Sequence, residues 1–147
     1  EDEYKRFHLS QMANSMAVTS GICPDSEIDR VLDHIVNNKD FYPATLSYSI
    51  FRYDALMKRP EQYIRYVFDD AAKVYGSMVK RNATTFWETA DGGDAFWYAG
   101  SLCHGWSAVP IYLYFRYAAG IVPTEPGIMT QNPLSEKLTG IYELTIE

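Results

Sequence analysis

Cysteine is scarce here: Cys23 and Cys103 are the only two among 147 residues. That is too few for a disulfide framework, and their separation is not the paired spacing of a zinc site, so both read as free, buried thiols. Cys103 adjoins His104, yet sequence neighbours project in different directions on a helix or strand, which disfavours a thiolate-imidazole pair. No window approaches the roughly 18 apolar residues of a membrane span, so no membrane partner is expected. Positive charge is also short, with 13 Lys and Arg against 19 Asp and Glu and a formal net charge of −6. Lys5-Arg6, Lys58-Arg59 and Lys80-Arg81 are scattered and form no patch that would release counterions from a phosphate backbone, which excludes nucleic acid. Glu1-Asp2-Glu3 has neither the positive start nor the apolar stretch of a signal peptide. With no initiator Met, the chain reads as a soluble segment of a longer polypeptide, and its compartment stays open.

What the chain has in quantity is apolar and aromatic mass. Hydrophobic residues make up 47% and charged ones 22%, which suffices for one packed domain and argues against disorder. Tyr occurs 12 times. A ring with a polar tip serves either a Tyr-rich core or a cleft for a flat, polar-rimmed ligand, and composition leaves both open.

The spacing of apolar residues predicts about five helices. Leu9, Met12, Ala13, Met16 and Ala17 mark a first helix over 4–20 that Gly21 stops. Asp25 or Ser26 caps a second, whose narrow stripe of Ile28, Val31, Leu32 and Ile35 puts it on the outside and which ends at Asn37-Asn38. Pro43 opens a third through Met57, apolar on nearly every face and so expected to be surrounded. Pro60 opens an outer fourth, with Ile64, Val67, Ala71, Val74 and Met78 three and four apart. The fifth, an inner one, spans 105–119, with Pro110 in an early turn or at a bend and Gly120 as its stop.

Inner and outer helices joined by short turns predict an all-α fold of antiparallel helical hairpins, a solenoid or a closed double-layer toroid. The uneven spacing and the long loop over 81–100 favour part of a toroid. Residues 1–122 read as that partial toroid, and 123–147 as a linker and the start of a C-terminal β segment. Pro123, Pro126, Gly127 and Pro133 break helices there, and 139–147 alternates like a strand.

Chemistry concentrates in the loop and just beyond it. Glu88 follows Trp87 in Thr84-Thr85-Phe86-Trp87-Glu88, and His104 lies in Ser101-Leu102-Cys103-His104-Gly105-Trp106. A carboxylate among aromatic rings suits a general acid or base. Asp91 and Asp94 flank a Gly92-Gly93 turn, either as further acids facing a ligand or as solvated turn residues that cap helix starts. Trp87, Trp97 and Trp106 are candidate platforms for the apolar face of a sugar ring. His104 suits a hydrogen bond to a substrate hydroxyl, the holding of a carboxylate in place, or a place in the core. It lacks the companions of a metal site, so neither metal nor cofactor is expected.

These residues carry a resemblance. TTFWETADGGDAF at 84–96 and GSLCHGWSAVPIYLYFRYAAGIVPTEPG at 100–127 resemble the closing segment of the six-hairpin (α/α)6 toroid of bacterial α-L-rhamnosidases. SQMANSMAVTSGIC at 10–23 and the helix around Tyr48 and Phe51 are similar to earlier hairpins, so the likeness covers about 10–127. The Trp-Glu and Ser-x-x-His-Gly-Trp-Ser-Ala pair is its specific part. The resemblance implies inverting hydrolysis of a glycosidic bond, with Glu88 as general base and His104 lining the sugar site. It implies a general acid from an earlier part of the barrel, which has no counterpart in this chain, so the chain is expected to be inactive alone. Its partners would be a carbohydrate substrate and the remainder of the parent polypeptide, in a bacterial periplasmic or extracellular setting. Two other readings stand beside it: a non-catalytic helical module that binds carbohydrate or serves as a scaffold, and self-association through exposed inner helices.

Overall fold

The computed structural model describes residues 9–134, and the chain divides between Lys58 and Arg59 into two units. The described residues are mostly helical, with one two-stranded antiparallel sheet toward the C-terminal end. No described helix is long and apolar enough to cross a membrane.

In the first unit α1 (Gln11–Thr19), α2 (Asp25–Asn37) and α3 (Ser49–Leu56) pack on one another. Ser10 caps α1 with an extended backbone and an Oγ that accepts from the Ala13 N–H at 3.3 Å, giving a partner to one of the donors a first turn leaves open. The segment of the expected first helix before residue 9 lies outside the described residues. α2 buries Ile28, Leu32 and Ile35, three members of its predicted stripe.

α3 is shorter than its apolar pattern. Helix was expected from Pro43 but begins at Ser49, because the backbone just before it is committed to long-range bonds. The Tyr42 N–H donates to the Leu9 carbonyl at 2.6 Å, and the Tyr42 carbonyl accepts from the Gln11 N–H at 3.0 Å. The Ala44 N–H donates to Gln11 Oε1 at 3.0 Å. Gln11 Nε2 in turn donates to the Ile35 carbonyl at 2.9 Å, an acceptor in the last turn of α2 that has no intrahelical partner. One amide therefore joins the start of α1, the end of α2 and the approach to α3. Gln11→Ala should cost about 1–3 kcal/mol, since a carbonyl and an N–H lose their partner together. Urea unfolding measures this, and a loss below about 0.3 kcal/mol would show that water takes over both bonds.

In the second unit α4 (Pro60–Lys80) starts with Pro60 in its first turn, where a missing N–H costs nothing. It buries Ile64, Val67, Phe68, Ala71, Tyr75 and Met78, the three-and-four spacing of one helical face. The expected fifth helix is broken into three pieces: a 3₁₀ turn at Gly105–Ser107, α6 (Val109–Leu113) and a π-helical turn at Tyr114–Ala118. Pro110 lies in the first turn of α6, the place where a ring without an N–H is accepted, so the helix restarts there. α4 and α6 enclose an apolar crevice lined by Phe68, Ala71, Tyr75, Pro110, Leu113 and Tyr114, with Phe68 and Tyr114 edge to face at 5.2 Å.

The sheet begins earlier than the linker expected from residue 123. β1 (Ile121–Glu125) and β2 (Ile128–Gln131) pair antiparallel through Ile121 with Gln131, Val122 with Thr130 and Pro123 with Met129. Pro126-Gly127, read as helix breakers, turn the hairpin, with Gly127 at φ +77°. The Asn132 N–H donates to the Gly120 carbonyl at 2.9 Å and the Leu134 N–H to the Tyr117 carbonyl at 3.0 Å, which ties the hairpin to the end of the π turn. The strand expected over 139–147 lies outside the described residues.

Candidate functional site

The site grows from the end of α4. Arg81 is its C-cap, Asn82 follows with φ +60°, and the Asn82 and Ala83 N–H groups donate back to the Val79 and Met78 carbonyls at 2.9 and 3.0 Å. These are the two bonds of a Schellman stop, with Asn in the left-handed place that usually takes Gly. Their effect is to turn the chain sharply while keeping the Arg81 Cα in the helix frame.

From there the Arg81 side chain reaches the loop. Its guanidinium carbon sits 4.7 Å from the centre of the Trp87 ring. Nη1 donates to the Ala90 carbonyl at 3.1 Å, while Nη2 donates to the Asp91 carbonyl at 3.1 Å and to Asp94 Oδ2 at 3.4 Å. Trp87 is only 7% exposed, so this indole, expected as a platform, is the loop's own core. Gly92, at φ +64°, lies against the ring. Sequence reading passed over Arg81 as one of several scattered cations. The available signal was an Arg at a helix end just before an aromatic and acidic loop.

Glu88 is half-buried in an irregular ribbon of two segments, 85–88 and 101–104, that are joined by hydrogen bonds without forming strands. The Glu88 N–H donates to the Ser101 carbonyl at 2.9 Å, and the His104 N–H to the Phe86 carbonyl at 2.7 Å. The Thr85 hydroxyl donates to the Leu102 carbonyl. Within the second segment the Ser101 Oγ donates to the Cys103 carbonyl at 3.0 Å and accepts from the Cys103 N–H at 3.3 Å. Cys103, expected to be buried, is exposed, and Cys23 is half-buried. Across the ribbon Glu88 Oε2 accepts from the Ser101 N–H at 3.2 Å. Oε1 has no hydrogen-bond partner among the described residues. The carboxylate is thus anchored by one oxygen, and the other remains for a ligand or water.

The remaining residues divide. His104 is half-buried and meets Trp106 edge to face at 6.4 Å, with Trp106 74% exposed; no hydrogen bond joins His104 to Glu88. Asp91 and Asp94 precede a 3₁₀ turn (Gly92–Asp94) and the short α5 (Ala95–Tyr98), but neither carboxylate caps the turn it precedes. Together with Ala95, Phe96 and Trp97 they line an open groove. Phe96, Trp97 and Tyr98 take φ of 51°, 57° and 69° in succession. A left-handed conformation costs a non-Gly residue roughly 1–2 kcal/mol, and here it turns Trp97 out to 97% exposure. Among the described residues no group of three or more His, Cys, Asp and Glu is placed to hold a metal ion.

No protein-family model matches this chain, and no curated protein matches it. Among solved structures it is similar to the GH78 family rhamnosidase of Bacillus sp. GL1, with a TM-score of 0.59 and 26% sequence identity over 74% of this chain. The chain spans only 12% of that protein's length. The likeness supports a relation to that family and a glycoside-hydrolase-like segment.

Proposed function

We propose that this chain is the part of an α-L-rhamnosidase-like glycoside hydrolase that supplies the general base. Glu88 takes a proton from the water that attacks the anomeric carbon, and the product leaves with inverted configuration. His104 faces the sugar. Trp97 and Trp106 offer exposed indole faces to it, Asp91 and Asp94 accept from its hydroxyls, and the buried Trp87 packs the loop that holds the base. The helices belong to a hairpin toroid completed by the parent polypeptide, which also brings the general acid to about 6.5–9.5 Å from Glu88, leaving room for the water. The observation that carries this reading is the half-anchored carboxylate, with Oε2 held by Ser101 and Oε1 open, in a chain that resembles a rhamnosidase.

The test uses an aryl α-L-rhamnoside with the full-length parent and with this chain alone. The parent should release the phenol and yield the inverted sugar, as followed by NMR of the anomeric proton, and the chain alone should release none. Robust release by the chain alone would defeat the claim that the acid lies elsewhere. Sugar binding without turnover by a parent that has both carboxyls would instead favour a binding module.

A further inference from the structure

We propose that Arg81 is the positioning residue of this loop: from the end of α4 it holds the segment on both sides of Glu88 in the register that lets the carboxylate meet Ser101. The guanidinium covers Trp87, immediately before Glu88, and donates to the carbonyls of Ala90 and Asp91, just after it. Glu88 is therefore bracketed by contacts to one planar group. The base of that group does not drift, because the Arg81 N–H donates to the Ser77 and Met78 carbonyls at 3.2 and 3.0 Å and the Schellman stop follows at once. The rigidity of a helix of 21 residues is passed to a loop that has little regular structure of its own.

The chemistry asks for arginine in particular. A guanidinium lies flat on an indole and at the same time points two N–H groups in its plane at two neighbouring carbonyls, whereas an ammonium is a compact point charge. Lys would keep the attraction to Asp94 and lose the spanning of Ala90 and Asp91. That ion pair is also the weakest of the contacts, at 3.4 Å with side chains 45% and 71% exposed, so charge alone does not carry the function. The backbone contacts are in place whatever Glu88 does, and only the kinetic arm of the test rests on the reading of Glu88 as base.

Arg81→Lys and Arg81→Met in the full-length parent test this. Hydrogen exchange at the Glu88 and His104 amides should speed up by about tenfold or more in both variants, the size of a lost hydrogen bond or two, while amides in the middle of α4 stay within about twofold. In the same variants kcat should fall by about tenfold or more with KM little changed, because the base is misplaced while the sugar contacts beyond it persist. Should the Met variant also lose protection in α4, the Lys variant, which keeps stem and charge, gives the answer. Wild-type exchange at Glu88 and His104 in the Lys variant would overturn the proposal. Failure of the base reading looks different: Glu88→Gln would keep turnover while the exchange effects of Arg81 persisted.

Discussion

Glu88→Gln in the full-length parent should lower kcat by about 10²–10⁴-fold and leave saccharide affinity within about twofold. The asymmetry follows from how the two oxygens are used. Oε2 accepts from the Ser101 N–H, and the amide oxygen of Gln can accept that same bond, so the ribbon of 85–88 with 101–104 keeps its register. The position of Oε1 is then filled by an NH₂ group, which can point a proton at the water and cannot remove one from it. Structure is spared and proton transfer is lost. Single-turnover kinetics beside equilibrium titration with the intact saccharide separates the two, and exchange at the Glu88 amide reports the ribbon. Turnover near the wild-type rate would remove Glu88 from the role of base, and a collapse of affinity would make it a ligand for the sugar.

The second large effect is expected at Gly92. A Cβ there would stand 2.6 Å from Cε3 and 2.7 Å from Cζ3 of Trp87, well inside van der Waals contact. The ring has little room to retreat, since it is buried and covered by Arg81. Gly92 also sits at φ +64°, where an L residue is strained by about 1–2 kcal/mol. Overpacking of a filled core adds typically about 1–3 kcal/mol, so Gly92→Ala should cost about 2–5 kcal/mol locally. Gly100→Ala should join it, because its Cβ would land on the Gly92 carbonyl oxygen and 2.9 Å from the Ala95 Cβ. Gly93 is the control: its Cβ would meet nothing closer than Leu102 Cδ2 at 3.8 Å, and Gly93→Ala should stay within about 0.5 kcal/mol. Urea unfolding of the three variants, with exchange at loop amides, tests this. Equal losses at 92 and 93 would refute the packing account.

The helices with a regular face were legible from sequence. Ile28, Leu32 and Ile35 in α2, and Ile64, Val67, Ala71 and Met78 in α4, are buried as their spacing required, because that periodicity is a local property of the chain. Where the backbone answers to a distant partner, local reading fails. Residues 42–44 stay out of α3 because Leu9 and Gln11 hold them, and the hairpin of 121–131 was missed because its prolines were read as helix breakers in a linker and Pro126-Gly127 was not read as its turn. The site shows the same division. Glu88 and His104 stand out by residue type and neighbours, but their meeting on one ribbon, the burial of Trp87 and the reach of Arg81 are tertiary facts. Nothing local announces three successive left-handed aromatics, since none of Phe96, Trp97 and Tyr98 is a residue that favours that conformation.

The hairpin of β1 and β2 has a further consequence. A two-stranded ribbon has two outer rims of main-chain donors and acceptors, and among the described residues no third strand covers either of them. Ile128 and Met129 add side chains that are 50% and 66% exposed. Such a rim offers main-chain groups to which another strand can be added by augmentation. A strand supplied from elsewhere would lengthen the sheet along that rim.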